Sequence, residues 1–135
     1  MIDWHDVLRE HRDRSDCGFS LSVCFGDPPT DDLVRIREHY DYYAQRDDPG
    51  AEYSYTVLVA RGELGELVGL LAAKAGQIDL PADPEEALLT CLRTLVATGQ
   101  LPTAGLKAAH TTVQRWLDEA GIAHTTKSWA WINSD

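Results

Sequence analysis

Thr30-Asp31-Asp32-Leu33-Val34-Arg35-Ile36-Arg37-Glu38-His39-Tyr40-Asp41-Tyr42-Tyr43-Ala44-Gln45-Arg46 is the segment whose reading decides how the rest of the chain is arranged. At about 100° per residue, Leu33, Ile36, Tyr40, Tyr43 and Ala44 fall on one stripe, so the spacing predicts an amphipathic helix. Thr30 suits its N-cap, and Asp31 and Asp32 suit a first turn facing the positive end of the helix dipole. Tyr42 then lies opposite Leu33, on an outer face shared with Asp31, Arg35, Glu38 and Arg46.

On the N-terminal side, Gly26-Asp27-Pro28-Pro29 ends a segment in which Phe19, Leu21, Val23 and Phe25 alternate with Ser20, Ser22 and Cys24. That is the pattern of a half-buried strand. Before it, Asp3 can cap a helix in which Trp4, Val7, Leu8 and His11 recur at helical spacing, ending near Ser15. On the C-terminal side, Asp47-Asp48-Pro49-Gly50 forms a turn, and Tyr53 to Ala60 reads as a strand with Tyr53, Tyr55, Val57 and Val59 on one face. Leu64, Leu67, Val68, Leu71 and Ala75 predict a helix over Glu63 to Ala75, with a hairpin turning at Gly62 to Gly65 as the competing reading.

The firmest helix start is Asp83-Pro84-Glu85-Glu86, an N-cap followed by proline at the first helical position and an acid three residues after the cap. Leu88, Cys91, Leu92, Leu95 and Val96 follow it as an apolar stripe. A further helix is expected from Thr103 to Ala120, with Leu106, Ala109, Val113, Trp116 and Leu117 inward and Gly121 as its C-terminal cap. Ala123 to Ile132 reads as a last strand carrying Trp129 and Trp131 on one face. The expected fold is a single α+β domain over residues 1–135, in the order α-β-α-β-α-α-α-β, with helices packed on a three- or four-stranded sheet.

A chain of 135 residues, 44% of them hydrophobic, has the usual size of one domain. No apolar run approaches the roughly 18 residues of a membrane span, and the N-terminus lacks a signal-peptide pattern, so the protein is expected to be cytoplasmic. Cys17, Cys24 and Cys91 are an odd number, which favours reduced thiols. Cys91 belongs to an apolar stripe, whereas Cys24, on the serine face of its strand, is expected to be the more accessible. His5, His11, His39, His110 and His124 show no ligand spacing with one another or with the cysteines, so neither metal nor cofactor is expected.

The net charge of −10 is uneven: residues 27–52 hold eight acids against three arginines, half of the total. Such a field repels nucleic acid and acidic membranes and speeds encounter with a basic surface. All five tyrosines fall between residues 40 and 55, at the end of this acidic stretch. Helical and strand phasing assigns Tyr40, Tyr43, Tyr53 and Tyr55 to packing, which leaves Tyr42 as the apolar anchor of a binding patch. Glu38, Asp41, Asp47, Asp48 and Glu52 surround it and would pair with lysines or arginines of a partner.

Asp41-Tyr42-Tyr43 in an acidic segment resembles the inhibitory surface of bacterial immunity proteins that neutralise colicin nucleases. The likeness is one of surface chemistry over three residues; that family's fold is small and all-helical. It implies a non-enzymatic, acidic inhibitor of a basic protein partner such as a toxin or nuclease. A second likeness lies at 103–121, where His110-Thr111-Thr112-Val113-Gln114-Arg115-Trp116-Leu117 resembles the recognition helix of helix-turn-helix proteins. It would turn Thr111, Thr112, Gln114 and Arg115 to DNA, although residues 99–135 carry no net positive charge to hold phosphate. A small enzyme without a recognisable motif is the remaining alternative.

Overall fold

Val34, Ile36, Glu38 and Tyr40 are buried, while Leu33, Arg35, Arg37 and His39 between them are only half-buried. Burial that repeats every second residue is the signature of an extended strand. The segment predicted to be a helix is therefore β3, Leu33–Tyr42. The computed structural model describes residues 3–11, 17–42, 50–76 and 78–132. Asp47 and Asp48, together with Tyr43 and Arg46, lie outside the described residues.

The other strands are β1 (Trp4–His11), β2 (Cys17–Phe25), β4 (Ala51–Ala60) and β5 (Thr125–Ile132). All five pair antiparallel in the order β1-β2-β3-β4-β5, so every strand lies beside its neighbour in sequence. A 3-10 turn at Arg61–Glu63 leads from β4 into α1 (Leu64–Ala75), α2 (Pro84–Ala97) and α3 (Ala108–Ala120). The chain is thus an α+β domain, as expected. Its order is β-β-β-β-α-α-α-β rather than α-β-α-β-α-α-α-β, and its sheet has five strands rather than three or four.

Both corrections have identifiable causes. In β3 the core-facing alternation runs Val34, Ile36, Glu38, Tyr40, Tyr42, and a glutamate in the middle of it disguises the period of two. In β1 the pairing with β2 shifts register between Asp6 and Leu8 and again between Leu8 and His11. Such irregularities break a strand's alternation, so Val7 and Leu8, adjacent in sequence, both pack against the core. Asp31, expected in a helical first turn, instead accepts from the Leu33 N–H at 3.3 Å and from Arg35 at 2.8 Å, steering the chain into β3.

One face of the sheet carries Phe19, Leu21, Val23, Val34, Ile36, Val57 and Val59, and it packs against Leu67, Leu71, Leu88, Leu92, Leu95, Val113 and Leu117 of the helices. The apolar stripes predicted for these three helices face the core, with Val68, Ala75 and Val96 only partly buried, except that Leu106 precedes α3 and is 55% exposed. The last helix starts later than Thr103 because Lys107 adopts a left-handed backbone, φ 64°, just before it. Gly121, also left-handed, ends it with an N–H donated to the Asp118 carbonyl, as expected of a glycine cap.

Asp83 caps α2 by accepting from the Glu86 N–H at 3.1 Å. Asp83→Ala should therefore cost about 1 kcal/mol, lowering the thermal midpoint by a few degrees, whereas Asp83→Ser should recover most of it. Equal midpoints for Asp83→Ala and the native chain would show that the cap contributes nothing.

Candidate functional site: the open face of the sheet

The helices cover only one face of the sheet. The antiparallel registers place the side chains of the other face in rows that run across the strands. The first row is Gly18, Asp41, Glu52 and Trp131; the second is Ser20, His39, Ser54 and Trp129. The third is Asp6, Ser22, Arg37, Thr56 and Lys127, and the fourth is Trp4, Cys24, Arg35, Leu58 and Thr125. The face is acidic at the Asp41–Glu52 end and basic at the Arg35–Arg37–Lys127 end.

Tryptophans mark the two edge strands. Trp129 and Trp131 are 49% and 47% exposed, although tryptophan rings are normally well covered. The Trp129 ring is stacked on His39, 6.5 Å between centroids and 20° between planes. On the opposite side, Trp4 reaches over β2 to meet Arg37, whose guanidinium carbon sits 4.1 Å from the ring centroid. Between them runs a groove of about 450 Å³ lined by Trp4, Arg37, His39, Leu58, Lys127 and Trp129, among others.

Polar contacts hold the middle of this face in place. His39 Nδ1 lies 2.7 Å from the Ser54 hydroxyl, and its Nε2 lies 3.3 Å from Glu52. Arg35 is tied to Asp31 at 2.8 Å. Arg37 is held below the usual arginine range by desolvation, which nearby Asp6 and Cys24 offset in part. Its Nε is buried without a hydrogen-bond partner among the described residues. Cys24, expected to be accessible, is buried beneath this layer, and burial pushes its thiol up and away from reactivity.

Of the residues singled out by sequence, the structure brings Asp41 and Glu52 together, paired across β3 and β4 on the open face. Tyr42 is not on an outer face of charges. It lies on the helix-covered side, packed against the core with its ring edge-on to Tyr53, 5.8 Å between centroids. Glu38 is 1% exposed and so cannot meet a partner's cation. The residues that sequence reasoning passed over as a site are Trp4, Arg37, His39 and Lys127. The polar alternation Arg35-Arg37-His39-Asp41 was the available signal, hidden once the segment was phased as a helix.

Glu38 has a structural role. One carboxylate oxygen accepts the His110 N–H at 2.9 Å, and the other accepts from the Tyr40 hydroxyl at 3.1 Å. The carboxylate thus takes up a free N–H group at the start of α3, where the helix dipole favours negative charge. The Tyr40 oxygen, 3.1 Å from the Gly105 carbonyl, in turn accepts from the Lys107 N–H at 3.0 Å. Desolvation raises the Glu38 carboxyl above its ordinary value despite these donors, and it lowers neighbouring His110 with help from Lys107.

At α3, Thr112 is buried with its hydroxyl bonded to the Ala108 carbonyl, so of the four residues a recognition helix would turn to DNA, this one faces the core. Among the described residues, no group of three or more His, Cys, Asp or Glu side chains could hold a metal ion, and no helix is long and apolar enough to cross a membrane. Comparison with protein-family models, curated proteins and solved structures finds no match for this chain.

Proposed function

We propose that the chain is a non-enzymatic protein-binding domain that engages its partner through the open face of the sheet. Trp129 and Trp131 are the anchors, and the Asp41–Glu52 row receives lysines or arginines. The observation that carries this reading is the pair of half-exposed tryptophans beside an acidic row on an uncovered sheet face. Large exposed aromatics flanked by charge are what protein-recognition surfaces concentrate, because one ring excludes much water at little conformational cost. The net charge of −10 supports a basic partner and an inhibitor's role, such as that of an immunity-type protein occupying the cationic site of a toxin.

Charge reversal at the acidic row tests the proposal. Asp41→Lys combined with Glu52→Lys should weaken capture of a basic partner from lysate at least about tenfold, mainly by slowing association, while the fold is retained. Native affinity should also fall as salt is raised, and the reversed variant should be much less sensitive. Identical capture by the two proteins, or retention of duplex DNA by the native chain at low ionic strength, would overturn it.

A further inference from the structure

The basic end of the same face has a different chemistry, and apart from Trp129, which borders both, its residues are not needed for the recognition proposed above. We infer that the groove between Trp4 and Trp129 is a binding site for a small organic anion, an oxyanion carried on a flat apolar body. Its volume of about 450 Å³ falls in the range of small-molecule sites. It is bounded by aromatic rings from both sheet edges, Trp4 on β1 and Trp129 on β5, with Leu58 contributing an apolar surface between them.

The cations of the groove are unequal. Arg35 is neutralised by Asp31 at 2.8 Å, and His39 is engaged by Glu52 and Ser54. Arg37 and Lys127 are in no ion pair with any described residue. They lie in the same row, separated by Thr56 alone. Arg37 is also half-buried, with a buried Nε that has no acceptor among the described residues and a guanidinium pressed on Trp4. A partly desolvated guanidinium in no ion pair with a described carboxylate has exchanged water for a ring face, and an incoming oxyanion would restore what it lost.

Among the described residues, Asp6 is the acid that acts on Arg37, and its side chain accepts from Ser22 at 3.4 Å while leaving the groove lining to other groups. In a chain of net charge −10, two cations that form no ion pair with a described residue and face one aromatic-walled groove make a local site for negative charge. The shape selects the rest of the ligand: rings on both rims favour a planar body, stacked on Trp129 or against the Trp4–Arg37 pair.

The test is titration of the native chain by calorimetry and tryptophan fluorescence with two flat anions, adenosine monophosphate and indole-3-acetate, and their uncharged counterparts, adenosine and indole. At least one anion should bind saturably, with its neutral counterpart at least about tenfold weaker. Arg37→Gln should weaken that anion about tenfold and Lys127→Gln several-fold, with circular dichroism unchanged. Because Lys127 is exposed, its variant keeps the test informative if Arg37→Gln folds poorly. Absence of saturable binding by both anions, equal binding of charged and neutral forms, or indifference to Lys127→Gln would overturn the assignment. Loss of anion binding with partner capture intact would separate this site from the Asp41–Glu52 row.

Discussion

Replacing Glu38 by alanine is expected to destabilise the protein by about 3 kcal/mol, a fall of roughly 10 °C in thermal midpoint. The change strips the acceptor from the His110 N–H and from the Tyr40 hydroxyl, both at the junction of β3 with the start of α3. It also leaves a void where a side chain only 1% exposed had been. Glu38→Gln retains an acceptor for His110 and should cost less. Calorimetric melting of both variants checks the order, and a Glu38→Ala protein as stable as the native chain would remove the carboxylate from the fold's support.

The same residue has a predictable pH signature. Burial raises its folded-state value above the ordinary 4.5. A raised acid binds its proton more tightly when folded, so its contribution is fully present below pH 4.5 and is lost as pH rises through the folded value. The stability difference between native and Glu38→Gln proteins should therefore shift against the native chain from pH 4.5 towards neutrality. His110 works in the opposite sense: its lowered value withholds a proton that the unfolded chain accepts below 6.5, so stability from that group falls as pH drops through 6.5. A pH-independent difference between native and Glu38→Gln proteins would contradict the first assignment.

Removing both exposed tryptophans, Trp129→Ala with Trp131→Ala, should reduce partner affinity roughly a hundredfold or more, since each ring at the centre of an interface is worth about 2 kcal/mol. The two side chains are about half exposed, and they stand on an edge strand whose described residues all face solvent. Little core packing goes with them, so the midpoint should move by only a few degrees. A melting shift as large as that of Glu38→Ala would show that the rings support the sheet. Unchanged affinity with an intact fold would place the interface elsewhere.

Helices α2 and α3 were legible in the sequence because their signals are local, whereas the signal for α1 also fits a hairpin turning at Gly62 to Gly65. Asp83-Pro84 at a start, Gly121 at an end and leucines at helical spacing need no knowledge of the rest of the chain. The same holds for β2, where apolar and polar residues alternate throughout, and for β4, where they alternate as far as Val57. The acidity, the Asp41 and Glu52 carboxylates and the shared face of Trp129 and Trp131 were likewise present in the sequence alone.

The tertiary structure decided the character of residues 33–42. Leu33, Ile36 and Tyr40 satisfy a helical period, and Val34, Ile36 and Tyr40 satisfy a strand's, with Glu38 the apparent exception. The exception is resolved by the His110 N–H, 72 residues further along the chain, which reaches Glu38 only once α3 packs across the sheet. No local pattern carries that information, because a buried carboxylate is tolerable only where distant donors meet it. The same packing set a half-buried Tyr42 against the core and left the tryptophan face uncovered, so the acidic row was readable in one dimension while its aromatic neighbours were assembled only in three.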